Sequence, residues 1–362
     1  MKGEVLYLYA YDVAYELPLA AIARSVDRAG EEALRPGTSA PRGVRFERCV
    51  HVGLEPIRAG ETFLDVSANV YAFGAVSITL RLEARGDTLL DFLRWHAPVL
   101  PGHASLDAVA RGALEGLLAK MAEHVEEGSF APEEPEAYTV FRLAPEDLGL
   151  EDAEAWLGAR GREAAALLTG EPDPSRLSDA EVAETLGQRF SYYRDDLVVV
   201  DWDAALLVEK AGGAADVLRV IELANLQLVE YRHYDAVLDR VVDRAYDDLE
   251  RVHGGVVPLF GVGEPVRKLR ELRVSLSEVA EQVSNATKFF GDWHLARLYM
   301  GCARRFHLPE WKASVEEKLR TLDELYHLAA SESSNRKMLA LETIIVLLFV
   351  VDLVLLAILP FR

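Results

Sequence analysis

Cysteine is nearly absent from this chain: 362 residues carry two, Cys49 and Cys302. Two isolated cysteines exclude a disulfide framework and fit a reducing compartment. They also lie too far apart for a zinc pair of C-x-x-C type. Basic residues are the second shortage. There are 39 Lys and Arg against 59 Asp and Glu, a net charge of −20 and a pI near 4.9. Phosphate binding needs clustered cations, so a general nucleic-acid surface is excluded. The same deficit argues against the body lying flat on anionic lipid. The start, MKGEVLYLYAYDVAYELP, lacks the basic stretch and apolar run of a signal peptide. Also missing are a G-x-x-x-x-G-K-[ST] loop and a G-x-S-x-G elbow. Gly261-Val262-Gly263 is a lone G-x-G, read as a turn because no strand precedes it. No catalytic, cofactor-binding or metal residue, no cofactor and no small-molecule substrate is assigned on these grounds.

What the chain does have is a greasy end, MLALETIIVLLFVVDLVLLAILPFR from Met338 to Arg362. A helix needs about 20 mostly apolar residues to cross a hydrocarbon layer roughly 30 Å thick. Met338 to Phe361 supplies 24. Apolar residues cover every side, so no single stripe faces a core. The expectation is a transmembrane anchor over 338–361. The competing reading is a core helix of a large globular fold, which the acids Glu342 and Asp352 favour. In a bilayer those acids become helix–helix contacts. Arg336 and Lys337 precede the span as flanking basic residues, placing that side in the cytoplasm by the positive-inside bias. The expected location is therefore the cell membrane, single-pass and tail-anchored, with the bulk cytoplasmic.

Half the chain is hydrophobic, ample for real cores. Residues 1–213 read as an α+β domain. Glu4–Tyr11 and Val44–Val52 have strand composition, and Val70–Glu83 alternates with strict period two. Gly74 within it suggests a bulge or close backbone approach. Leu17–Ala29, Asp87–Ala97 and Leu106–Val125 read as helices, and Tyr138–Leu143 as a strand. Residues 144–176 form an acidic connector with a short helix. Leu197–Val200 reads as a buried strand, and Ala204–Val208 as its hairpin partner or an edge. From 214 to 337 the reading is all-α. Asp216–Val252 steps by three and four over about five heptads, which implies an antiparallel hairpin or coiled coil. The turn falls at 254–265 and the pattern resumes from Val266 to Val283. Pro309 opens the last helix.

Leu341-Glu342-x-Ile344-Ile345 with the later Asp352 resembles the tail of the required-for-meiotic-nuclear-division family. Tyr71-Ala72-Phe73-Gly74-Ala75-Val76 is similar to that family's aromatic-glycine-valine strand, and Glu209-Lys210 to its pattern before the long helix. Ser77-Ile78, standing for a bulky aromatic pair, departs from it, as does Gly212-Gly213. The resemblance implies an α+β domain, a helical hairpin and a C-terminal transmembrane helix, with organellar members at the inner mitochondrial membrane supporting translation. It carries over no catalytic residue.

Cys302 with His294 and His307 has ligand chemistry, but a core cysteine beside surface histidines is the plainer reading. His233 and Asp235 read as interfacial polar residues. Asp195-Asp196 and Asp201-x-Asp203 flank a short strand and read as solvated loop acids rather than an ion site. Tyr192, Tyr193 and Trp202 read as packing. The function expected is a non-enzymatic, membrane-anchored cytoplasmic scaffold or tether, in contact with the lipid bilayer. It would self-associate or dock protein partners through its long helices, with no direct nucleic-acid contact. The alternative is an ion channel or transport subunit.

Overall fold

The computed structural model describes residues 1–14, 16–26, 29–33, 48–60, 62–103, 105–125, 135–210, 214–253 and 293–358. The chain divides into two units, Met1–His233 with Glu278–Trp311, and Tyr234–Ser277 with Lys312–Arg362.

The first unit is built on a ten-stranded sheet. Its strands are β1 (Lys2–Asp12), β2 (Ala29–Ala33), β3 (Arg48–Gly53), β4 (Ile57–Ala59), β5 (Thr62–Tyr71), β6 (Ala75–Arg85), β7 (Glu136–Leu143), β8 (Arg189–Phe190), β9 (Leu197–Val200) and β10 (Ala204–Val208). The order is β2-β3-β5-β6-β1-β7-β10-β9-β8, with β4 on β5. β10 runs parallel to β7, while β1 is antiparallel to both β6 and β7. The expected hairpin of β9 and β10 is present. Period-two alternation separates the two faces. On one, Val5, Tyr7, Tyr9, Ile78, Leu80, Leu82, Phe141 and Leu206 join a buried apolar cluster. Helices α1 (Leu19–Ser25), α2 (Leu106–Lys120), α3 (Pro145–Leu148), α4 (Ala153–Thr169) and α5 (Asp179–Thr185) lie in the connections. Val109, Leu114 and Leu117 of α2, with Trp156, Ala164 and Leu167 of α4, fill that cluster. α4 thus makes core of the stretch read as a connector. Its Asp152 cap accepts Ala155 N–H, and Gly170 ends it at φ 71°.

The strand expected over 70–83 is two strands. The chain reverses between Tyr71 and Ala75, with Gly74 at φ 91°. Gly74 N–H donates to Tyr71, and its carbonyl accepts Val13 and Ala14 N–H, which ties the turn to the end of β1. A side chain at that φ is strained.

α6 (Ala214–His253) matches the expected long helix; α7 (Trp293–Arg305) and α8 (Leu308–Ile358) follow. The expected turn at 254–265 and the returning segment 266–283 lie outside the described residues. In the second unit, Asp235 accepts from Ser314 (2.8 Å), and Lys318 reaches Asp235 (2.8 Å) and Asp239 (2.5 Å). These pairs climb together, so α6 and α8 run alongside in the same sense there. Leu238, Val315, Leu319 and Leu322 are buried.

The transmembrane helix expected over 338–361 is corrected. Among the described residues no helix is long and apolar enough to cross a membrane. The stretch forms the end of α8. Glu342 and Asp352 interrupt it. The tail-anchored, single-pass location at the cell membrane falls with the span. So does the premise for Arg336 and Lys337 as membrane-flanking groups and for Glu342 and Asp352 as intramembrane contacts. The fold class is mixed α/β: a large sheet with many helices.

Candidate functional site

The second face of the sheet carries polar groups where the first carries core. Cross-strand register sets His51, Asn69, Ser77, Ala10 and Glu136 in one row over β3, β5, β6, β1 and β7. α6 brings its own buried polar residues, Glu222, Asn225, Gln227 and Glu230. Asn69 donates to Glu222 (2.8 Å) and lies 2.9 Å from His51 Nδ1. Arg219 donates to Cys49 Sγ at 2.6 Å and to the Tyr71 hydroxyl at 3.3 Å. Its Nε is 3.9 Å from Glu222. Asn225 donates to the Glu136 carbonyl at 3.0 Å, and Arg232 pairs with the Glu136 carboxylate. Buried polar groups need such partners, since each one left alone costs about 1–3 kcal/mol.

Two carboxyls stand apart from this network. Asp12, at the end of β1, is 6% exposed and Glu230 of α6 is 1% exposed. Asp12 Oδ2 and Glu230 Oε1 are buried without a hydrogen bond among the described residues. His233 Nδ1 lies 3.7 Å from Asp12. Burial pushes the Asp12 carboxyl up to about 8. Burial, then the Asp12 charge, pushes Glu230 well above the carboxylate range. Burial of this depth favours the protonated, uncharged form of both carboxyls. Among the described residues no three His, Cys, Asp or Glu are arranged to hold a metal ion.

A cleft of about 360 Å³ opens at the sheet's end, lined by Lys2, Glu4, Arg85, Arg142, Asp147 and Glu209 among others. β6, β7 and β10 run in the same direction and all terminate there. Glu4 holds Arg142 (2.6 Å) and is 3.9 Å from Arg81. Burial, then Asp196, raises the Glu209 carboxyl, against the pull of Arg142.

The residues singled out in the sequence are scattered. Cys302 is fully buried, and burial pushes its thiol up to about 12. His307 takes φ 52° between α7 and α8, its ring 5.5 Å from Trp202. His294 stacks edge-on to Tyr192 at 5.4 Å. Asp235 belongs to the helix pair of the second unit. Asp195 pairs with Lys210, and Asp196 accepts the N–H groups of Tyr192 and Tyr193. Asp201 pairs with Arg305, its carbonyl accepting from Tyr138. Tyr192 and Tyr193, expected to pack, are 61% and 67% exposed, and Trp202 is 47% exposed. Gly261 and Gly263 lie outside the described residues. Sequence reasoning missed Asp12, Glu230, Arg219 and Arg142. The available signal was the placing of Glu222, Asn225, Gln227 and Glu230 among Ile221, Leu223, Ala224, Leu226 and Leu228, polar groups in a helical stretch buried on all sides.

A family model described as "Uncharacterized protein MJ0711, N-terminal domain" matches residues 2–215. All the cleft residues named above fall within that match. A curated relative from Methanocaldococcus jannaschii, "Uncharacterized protein MJ0711", is 24% identical over 174 residues, 48% of this chain and 53% of the relative. The chain thus spans about half the length of that relative. No solved structure matches. Neither match bears on the resemblance to the required-for-meiotic-nuclear-division family.

Proposed function

The chain belongs to the domain family described as "Uncharacterized protein MJ0711, N-terminal domain", and on that premise we propose that it is a non-enzymatic assembly protein that self-associates through α8. The supporting observation is the end of that helix. Ile345, Leu347, Leu348 and Phe349 are 59–68% exposed, and exposed apolar side chains continue to Leu355. Covering one such side chain is worth about 1.5–3 kcal/mol. A groove on an unlike partner would cover one stripe, whereas these residues point in every direction. Like helices from further copies of the chain cover all of them at once. Asp352 is then the single polar position in an apolar contact, the kind that sets register and copy number. The non-enzymatic reading rests on Asp12 and Glu230, too deeply buried for a substrate to reach.

Oxidative cross-linking of the full chain carrying Leu348→Cys tests this. Cys49 and Cys302 are buried, so background is low. A disulfide between copies formed through the introduced thiol is expected. A chain that stays single-copy by mass, with no cross-linked species, sinks the reading.

A further inference from the structure

We propose that the cleft at the ends of β6, β1, β7 and β10 binds a small zwitterion, its carboxylate held by Lys2 and Arg85 and its ammonium by Glu209. The argument starts from register. Lys2 lies directly opposite Arg85, and Glu4 is opposite both Glu83 and Arg142. Side chains two residues apart share a face. The sheet therefore ends in two charged rows. The inner row reads Glu83, Glu4, Arg142 and Leu207 across β6, β1, β7 and β10. Within it Glu4 pairs with Arg142, and Glu83 lines the cleft beside them. One residue further out, Lys2 faces Arg85, while Ala144 and Glu209 directly follow the last paired residues of β7 and β10, Leu143 and Val208. Two cations stand at one end and an acid at the other, with a methyl group between them.

Ala144 makes the opening: any longer side chain there would fill the space between Lys2 and Glu209. Two strand spacings separate those two residues, about 10 Å between backbones. Long side chains reaching in from both ends leave room for a molecule of amino-acid to dipeptide size, consistent with about 360 Å³. Glu209 Oε2 has no hydrogen bond among the described residues and is buried. Its carboxyl is raised by burial and by Asp196, the condition that an ammonium relieves. Asp147 lines the same acidic end. A simple anion would meet the acidic end, and a simple cation the basic end, so both charges are needed on one molecule.

Calorimetric titration of the full chain with 6-aminohexanoate, hexanoate and hexylamine tests the site. The zwitterion is expected to bind at least tenfold tighter than either singly charged analogue. Glu209→Gln is expected to drop 6-aminohexanoate to the level of hexanoate. Lys2→Gln and Arg85→Gln, both at exposed positions, are expected to drop it toward hexylamine without changing the circular dichroism spectrum. Equal affinity for all three probes, binding of one singly charged probe as tightly as the zwitterion, or no binding of 6-aminohexanoate overturns the proposal. So does an affinity that the exposed-site variants leave unchanged.

Discussion

The two faces of the sheet are made by alternate residues of the same strands, yet they are held together by different physics. Ile78 and Leu80 lie on the face packed by α2 and α4, where burial of apolar area is the whole attraction. Ser77, one residue away, lies on the other face, opposite Asn69, which donates to Glu222 of α6. There each buried group depends on a partner, and several atoms have none among the described residues. Apolar packing tolerates approximate complementarity. A polar interface is specific and sensitive to protonation. One helix thus rests on a layer whose stability depends on pH, while the others do not.

That contrast can be broken most sharply on the apolar side. Leu80→Ala, at a fully buried position, should cost about 2–5 kcal/mol in urea unfolding. An intermediate effect is expected from the acid pair. The folded Asp12 carboxyl is raised to about 8 from an ordinary value near 3.8. A raised carboxyl favours the folded state while protonated, so stability is fully present below about pH 4. It is lost as pH rises toward 8. The slope in that window is at most about 1.4 kcal/mol per pH unit for one proton. Asp12→Asn should flatten the curve, and an unchanged profile would show that the pair does not titrate as described. The smallest effect belongs to Ser77→Ala. Its Oγ is buried with no hydrogen bond among the described residues, so removing it should leave stability unchanged or raise it by about 1 kcal/mol. A loss as large as that of Leu80→Ala would erase the distinction between the faces.

Local patterns in the chain announced much of this architecture. β1 and the β9–β10 hairpin follow from short alternating or wholly apolar runs, and α6 from its three-and-four stepping. The failures have physical causes. Ala72-Phe73-Gly74 continues the alternation of 70–83 without a break, so periodicity cannot see that Gly74 takes a positive φ and reverses the chain. The tail is apolar enough on composition alone, yet no described helix is long and apolar enough to cross a membrane. The cleft was hidden for another reason: Lys2 meets Arg85 and Glu4 meets Arg142 only through register, which depends on pairings far apart in sequence. Asp12 reads as an ordinary strand end until α6 lays Glu230 near it. Tyr192 and Tyr193 look like core residues by type, and only the placement of their loop turns them outward.

The parallel seating of β10 beside β7 has a consequence for synthesis. Tyr138–Leu143 leaves the ribosome some sixty residues before Ala204–Val208, the segment that completes its far side. During that interval its backbone amides and carbonyls stand open along an apolar ribbon, an invitation to pair with a neighbouring nascent chain. Slowing elongation within this window should therefore raise aggregation far more than slowing it after residue 208.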